Sequence, residues 1–486
     1  MSGLMSVVRL QTGGATVAVV GGGLAGLAAA VGAAEHGLDV ELFERRGRLG
    51  GRAGSFRDPV TGGLVDFCQH VSMGCCTNLA DFCRRVGLRD GFRRERRLHL
   101  FSPDGNQHDF APAGWLPAPL HVGWALMRLG YLSVGERLGV LRAMRRLAAE
   151  PPPATDAEET IGRWLHRHGQ SERAVERFWS VVLQSALSET VDRASLRAAR
   201  KVFVDGLMAS RRAYELEVPQ VPLAELFDRR VAAWLAERNV ATHLGARIAR
   251  IEGDARRATA VVLSDGTRRA FDYVIVAVPW GRVRSLLPHA ILAAMPALDG
   301  VENIRPTPIT AVHLWIDHPV AAVSHAALVG RLSQWVFSHG RQDLLTSGSR
   351  TAHYCQVVIS ASHELVGRRR EEIVAEVRRD LEAIWPEVRK ARLLHQRVVT
   401  HTAAVFSPAP GVDRYRPGQQ TPIENLMLAG DWTATGWPAT MESAIRSGYL
   451  AAESVLKSLG KSGRLLVPDL PQSTLARWMS RASHAP

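Results

Sequence analysis

Residues 16–20, TVAVV, form an unbroken apolar and β-branched run. Such a run predicts a short strand buried on both faces, as in a parallel sheet. The pattern then switches. Gly21, Gly23 and Gly26 punctuate a turn, and Leu27, Ala28, Ala29, Ala30, Ala33 and Ala34 predict a small-residue helix ended by His36-Gly37. VELFE at 40–44 restores the strand pattern and closes on Glu44. Residues 240–279 read as a strand, a meander turning at Asp265-Gly266, and a buried strand YVIVAVP. LMLA at 426–429 is a further strand, followed by a helix that opens at Pro438 and keeps Met441, Ala444, Ile445, Gly448 and Ala452 at 3.6-residue spacing.

Between these stretches the pattern is different. Residues 110–230 carry little strand signal and predict mostly helix. Val134, Leu138, Leu141 and Ala148 keep helical spacing, with Arg137, Arg142, Arg145 and Arg146 among them. This fits either an ordinary core-facing helix pair or an interfacial helix lying on a membrane. PPPAT at 151–155 ends the segment, and Thr155 with Glu158 fits a capping box for the next helix. ITAVHLWI and HYCQVVIS predict strands in a second insertion. The polar tail after Leu466 is expected to be loosely held.

The chain has 486 residues, room for two or three domains. No run of about 18 uncharged apolar residues predicts a membrane span, and the first residues do not read as a secretory signal. Five cysteines are too few for a disulfide scaffold and point to the reducing cytosol. The net charge of +13 suits a solvated basic surface, anionic lipid or a diphosphate ligand. No basic stripe with interleaved aromatics suggests nucleic acid.

The glycines bring in chemistry. Gly21 permits the tight strand-to-helix turn, Gly23 a close backbone approach to a pyrophosphate, and Gly26 close helix–strand packing. The helix N-terminus offers N–H groups to the anion, and Glu44 can accept hydrogen bonds from a ribose diol. Gly50-Gly51-Arg52, just past the second strand, can wrap and neutralise the pyrophosphate, which favours FAD over NAD. Gly430-Asp431 stands at the carboxyl end of its strand, where ligands of open α/β sheets sit. No second G-x-G-x-x-G occurs, so one dinucleotide is expected.

VDFCQHVSMGCC, at 65–76, places His70 among Cys68, Cys75 and Cys76, with Cys83 beyond. Six residues separate Cys68 from Cys75 and Cys76 from Cys83, and no C-x-x-C pair occurs. The spacing is poor for a metal site. Cysteines packing as small hydrophobes are the first reading, Cys83 with Leu79, Phe82 and Val86 on one side of a helix.

Glu44 with Leu49-Gly50-Gly51-Arg52 resembles the N-terminal signature of the FAD-dependent amine oxidase / phytoene desaturase superfamily. WLHRHGQSERAVERFW (164–179), FSPAPGVDRYRPGQQTPIENLMLAGDWT (406–433) and GWPATMESAIRSG resemble one subfamily, the hydroxysqualene dehydroxylases, or squalene-associated FAD-dependent desaturases. The resemblance runs from about Thr16 to about Leu456.

It implies an α/β fold: a Rossmann-like, glutathione-reductase-type FAD-binding domain with an inserted α+β, largely helical substrate domain. The expected boundaries are 16–110, 228–287 and 400–462 for the FAD domain, 111–227 and 288–399 for the substrate and membrane-facing domain, and 463–486 for the tail. It extends the cofactor-contacting set to Leu24, Ala25, Arg45, Ile248, Thr440 and Met441. It implies reductive removal of the hydroxyl of hydroxysqualene, an isoprenoid lipid, to give squalene, with peripheral contact on the inner face of the cell membrane and contact with upstream squalene-pathway enzymes. The segment after the pyrophosphate loop often reads D-x-G-x-H; here it is Asp66-Phe67-Cys68-Gln69-His70, with Cys68 where glycine is common. His70 is the candidate proton donor, against a structural histidine bonded to backbone. Glu442 is the alternative donor, against a helix cap, and Asp66 orients the segment. Rival readings are a carotenoid desaturase, an amine oxidase, and a flavin-free Rab-escort-like lipid-binding module.

Overall fold

The computed structural model describes residues 14–151, 158–344 and 350–481. β1 (Thr16–Val20) leads through the glycine turn into α1 (Leu24–Glu35), and β2 (Asp39–Glu44) lies parallel beside β1. β3 (Ala241–Leu244), β4 (Tyr273–Val276) and β5 (Leu426–Leu428) complete a five-stranded parallel sheet in the order β3-β2-β1-β4-β5. Successive residues of β1 face opposite ways. Val17 and Val19 pack with α1 and with α3 (Met441–Ser458), while Ala18 and Val20 pack with the meander strands 248–253 and 258–263. Both faces are covered, which is why the strand reads as apolar without alternation.

A second, seven-stranded sheet runs in the order Leu393–Phe406, Pro306–Ile316, Arg350–Ser360, Trp335–Leu344, His325–Leu328, Leu98–Phe101, Gln107–Phe110. The helix Arg370–Ile384 covers one face through Ile373, Val374, Val377 and Leu381, against Val312, Leu314, Val357 and Ile359. The helical insertion forms its own core around Val122, Leu126, Val140, Leu147, Trp164, Trp179 and Phe203.

Strand pairing carries two stretches, and core packing a third, across the expected divisions. Residues 98–110 and 400–406, assigned to the first domain, pair within the second sheet. Ile291, Met295, Leu298, Val301 and Ile304, assigned to the second, pack with Val20, Phe43 and Ile248 under the first. The pairing partners are remote in sequence, so local pattern did not reveal them.

Thr155 of the expected capping box lies outside the described residues. The helix Ile161–Arg167 is capped instead by Thr160, whose Oγ1 accepts from Arg163 N at 3.3 Å. Glu158 accepts from the backbone of Arg197 and Gly411.

The described part of the tail, residues 463–481, is strapped to the body of the fold. Leu465 is buried against Gly32 and Ala452. The N–H groups of Leu465 and Leu466 donate to Glu453, Val467 N donates to Asn78, and Asp469 pairs with Arg446. Ser473 then bonds Ala209 O and Ala118 O, and a helix Thr474–Arg481 follows beside Val134–Ala149.

Candidate functional site

The glycine turn closes around one open spot. Gly21 has φ +115°, and a Cβ there would stand 2.4 Å from Ala277 O; one on Gly26 would stand 1.8 Å from Gly21 O. Around Gly23 no atom lies within 4 Å of the place a Cβ would take. Gly23 is the N-cap of α1 and offers no side chain. The first intrahelical bond is from Leu27 N to Gly23 O, so the N–H groups of Leu24, Ala25 and Gly26 face out of the helix end. Gly50 N donates to Gly22 O at 2.9 Å, and a Cβ on Gly51 would come within 3.0 Å of Gly23 Cα. The two glycine loops thus lie edge to edge.

Glu44 is buried. Its Oε2 accepts from Gly22 N and its Oε1 from Arg46 N, both at 2.8 Å. The acid therefore locks the turn, and each oxygen keeps a second lone pair. Arg45 is exposed beside it, and Ile248 is buried in the meander core against Phe43.

The C-terminal part of the chain meets this cradle. Gly430, past the end of β5, has φ +147° and donates its N–H to Ser447 Oγ at 2.8 Å. Arg52 donates through Nη1 to Ala404 O at 2.7 Å and through Nη2 to Asp431 Oδ1 at 2.5 Å. α3 starts at Met441, not at Pro438: Thr440 is its cap, with Oγ1 accepting from Ser443 N at 3.1 Å.

The segment from Asp66 to His70 lies beside the cradle. Asp66 Oδ1 accepts from Ser55 Oγ at 2.6 Å and Leu223 N at 2.9 Å, tying three elements together. Burial pushes its pKa up to about 6 despite those bonds.

His70 Nδ1 bonds Cys68 O at 2.9 Å. Burial, with Arg52 nearby, lowers its pKa below the usual imidazole value. A neutral ring donating from Nδ1 offers a lone pair at Nε2, not a proton. This geometry argues against His70 as the acid.

Glu442 is also redirected. It is fully buried, and Oε1 accepts from Asn78 N, Asn78 Nδ2 and Arg446 Nε, while Oε2 accepts from Leu79 N at 2.7 Å. The carboxylate caps the first turn of α2 (Thr77–Arg85) and is fully engaged there.

No cluster that could hold a metal exists among the described residues. Cys83 sits in the core with Leu79, Phe82 and Val86, and Cys75 against Ala213 and Trp437. Burial raises the pKa of Cys68 and of Cys83 to about 12, which keeps both thiols protonated near neutral pH. Cys68 instead joins an apolar wall with Val71, Met73, Leu216, Val218, Phe337 and Val358.

Two arginines escaped the sequence reading. Arg416 is buried and donates to the carbonyls of Asp431, Thr433 and Trp437, with Nη1 on Asp413 at 2.8 Å. It gathers the loop that carries Asp431. Arg48 donates to Gly51 O at 3.2 Å and lies over the Phe67 ring. Both fall inside motifs that were recognised; only their carbonyl partners, set by the folded loops, single them out.

The family model described as flavin containing amine oxidoreductase matches residues 24–456. A hydroxysqualene dehydroxylase of Rhodopseudomonas palustris is 27% identical over 91% of this chain and 98% of its own length. A probable zeta-carotene desaturase of Synechococcus elongatus is 25% identical over the same shares. Among solved structures, cyclohexylamine oxidase from Brevibacterium oxydans superposes with a TM-score of 0.66 at 18% identity, over 92% of this chain and all of its own; that likeness concerns the fold.

Proposed function

The chain belongs to the flavin containing amine oxidoreductase family and is an FAD-dependent oxidoreductase, and from that premise we propose that it reductively removes the hydroxyl of a hydroxysqualene-like isoprenoid to give the hydrocarbon. The observation that carries this reading is the similarity along 91% of the chain to a hydroxysqualene dehydroxylase, beside which the Asp66–His70 segment packs on an apolar cluster of Val71, Met73, Leu216, Val218, Phe337 and Val358. An apolar wall suits a long hydrocarbon and offers little to an amine.

The cradle fits FAD: it is open at Gly23 and closed at Gly21 and Gly26. Leu24, Ala25, Gly50, Gly51 and Arg52 would hold its diphosphate, Glu44 its ribose, and Asp431 with the start of α3 its far end. When bound, the flavin supplies the two electrons of the reaction. The alcohol C–O bond breaks and a C–H bond forms; of the two protons consumed with the two electrons, one ends in the new C–H bond and the other joins the leaving hydroxyl to give water. The residues of this chain hold the lipid, exclude solvent and keep Asp66 anchored to Ser55 and Leu223.

A second reading, desaturation of a carotenoid, is supported by the similarity to the zeta-carotene desaturase. Anaerobic incubation of chemically reduced enzyme with hydroxysqualene, and of oxidised enzyme with phytoene, decides between them by mass spectrometry. Squalene from the first and no new double bond in the second is the expected result. The reverse outcome establishes the desaturase.

The same reading includes peripheral contact with an anionic bilayer. No described helix is long and apolar enough to cross a membrane. Seven large apolar side chains are exposed among the described residues, and five of them, Trp115, Leu120, Trp124, Val134 and Leu138, fall in one stretch. The Trp115 and Trp124 rings meet edge to face. Arg128, Arg142, Arg145 and Arg211 are exposed around them, a charge pattern complementary to acidic headgroups.

A further inference from the structure

The strand Trp335–Leu344 breaks its register between Ser338, paired with Cys355, and Arg341, paired with His353. His339 and Gly340 therefore stand opposite Tyr354 alone, a bulge in which Gly340 takes φ +76°. Bulges re-aim side chains. This one lays the His339 ring on Tyr354, with centroids 4.9 Å apart and planes at 22°.

His339 is the open end of a row of rings that crosses the sheet. Tyr354 stacks on Trp315 at 4.7 Å, and Trp315 meets His395 at 4.7 Å. The other three rings are held by hydrogen bonds or ion pairing. His395 Nε2 lies 3.3 Å from the buried Asp58, Trp315 Nε1 donates to Gln342, and Tyr354 Oη is 2.9 Å from His313 Nδ1. Neither ring nitrogen of His339 has a hydrogen-bond partner among the described residues.

The ring is exposed, yet burial pulls its pKa down to about 4. On an open surface a side chain keeps its hydration and its ordinary pKa; one that lines a cleft is reachable and still short of water. The half-buried Asp66, Cys68 and His70 combine the same two properties, each shifted first by burial. The two groups are neighbours. Burial, then Asp66, with Cys68 a smaller cause, raises the pKa of Tyr354, the ring under His339. Phe337, two residues before His339 in the strand, packs in the apolar cluster with Cys68, Val71 and Met73.

A neutral imidazole carries one N–H and one lone pair. With both nitrogens free, His339 can meet a hydroxyl as donor or as acceptor in either tautomer, and it offers no charge to an ammonium or a carboxylate.

We propose that His339 determines specificity by hydrogen bonding the hydroxyl of an isoprenoid alcohol whose hydrocarbon lies toward Phe337 and the Cys68 segment. The proposal rests on the isoprenoid-alcohol reading above and deepens it, since a pure hydrocarbon gains nothing from the imidazole. Tyr354 and His313 are positioning residues, acting through the ring stack.

The test is equilibrium dialysis of the oxidised holoenzyme against farnesol and against farnesene, a hydrocarbon of similar skeleton. His339→Phe keeps a ring on Tyr354 and removes both nitrogens. Its farnesol affinity should fall about tenfold, the worth of one hydrogen bond, with farnesene affinity unchanged. His339→Gln keeps a donor and an acceptor and should retain part of the difference. Farnesol binding that is absent in the wild type, unchanged in His339→Phe, or weakened together with farnesene overturns the proposal. If the variants fail to fold, the wild type decides. Diethyl pyrocarbonate, which acylates neutral imidazoles, should modify His339, and saturating farnesol should slow it; an unreactive or unprotected His339 overturns the proposal. A His339-dependent preference for farnesol without conversion of hydroxysqualene leaves the site standing and removes the reaction. Conversion with an unaltered KM in His339→Phe removes the site and leaves the reaction.

Discussion

Arg52 and Asp431 are 379 positions apart in the chain, yet Nη2 of one stands 2.5 Å from Oδ1 of the other. The pair ties the pyrophosphate loop to the strand end that closes the cradle. The Arg52 side chain is 32% exposed and that of Asp431 only 4%. Removing the guanidinium leaves an almost buried carboxylate alone. Arg52→Ala is expected to lose about 1–3 kcal/mol, a figure reduced for the solvent that reaches the arginine, and to purify with less flavin. The ratio of flavin to protein absorbance, with a thermal melt, measures both; unchanged flavin content would remove Arg52 from the cofactor site.

Gly23 and Gly26 separate the fold from the cofactor. A methyl group at Gly23 meets open space, while one at Gly26 meets Gly21 O. Gly23→Ala should fold with the wild-type melting temperature in the cofactor-free state, yet bind FAD at least tenfold more weakly, because the methyl fills the room the diphosphate needs. Gly26→Ala should lose stability and flavin together. Isothermal titration of deflavinated protein distinguishes the two. Wild-type affinity in Gly23→Ala would place the diphosphate elsewhere.

Glu442 holds the first turn of α2 and Arg446 through both carboxylate oxygens. Glu442→Ala strands the N–H groups of Asn78 and Leu79 and leaves Arg446 short of a partner. A loss of about 3–5 kcal/mol is expected. Glu442→Gln keeps an acceptor, so turnover per bound flavin should stay within about threefold of wild type, under 1 kcal/mol in the barrier. A drop of several hundredfold at full flavin occupancy would return Glu442 to the list of proton donors.

Asp66 gives a pH signature with a definite sign. Its pKa rises from 3.8 unfolded to about 6 folded because burial disfavours the carboxylate. Between those values the native state binds more protons than the unfolded one, so stability falls as pH rises through that window and levels off above it. Asp66→Asn keeps an oxygen for Ser55 and Leu223 N and removes the titration. Denaturant midpoints at pH 4 to 8 should show the variant gaining on the wild type up to about pH 6, by about 2–3 kcal/mol. Parallel profiles would mean that Asp66 titrates normally.

Membrane contact is tested with vesicles. The 486-residue chain should sediment with vesicles containing phosphatidylglycerol and much less with phosphatidylcholine alone, and raised salt should weaken the association. Replacing Trp115 and Trp124 together with serine should abolish it with flavin content unchanged. Binding that survives this change moves the docking face elsewhere.

The legible part of the molecule was its local part. The β1–glycine–α1–β2 unit could be read from TVAVV, the three glycines and Glu44, because a strand buried on both faces, a positive-φ turn and a small-residue helix are each set by neighbouring residues. Cys83 with Leu79, Phe82 and Val86 was equally plain, since a helix brings such positions together by itself. The membership of 98–110 in the second sheet was not legible, because its strand partners at 325–328 are remote in sequence.

Side-chain roles were the other loss. Glu442, read locally, is an acid at a helix start; only the packing of α2 against α3 shows that its oxygens are already taken. The chain by itself determined which backbone could form and which cofactor it could cradle, because propensity and glycine geometry act over a few residues. Which carboxylate is spent on structure was decided by the tertiary structure, because hydrogen bonding and desolvation depend on neighbours that only folding supplies.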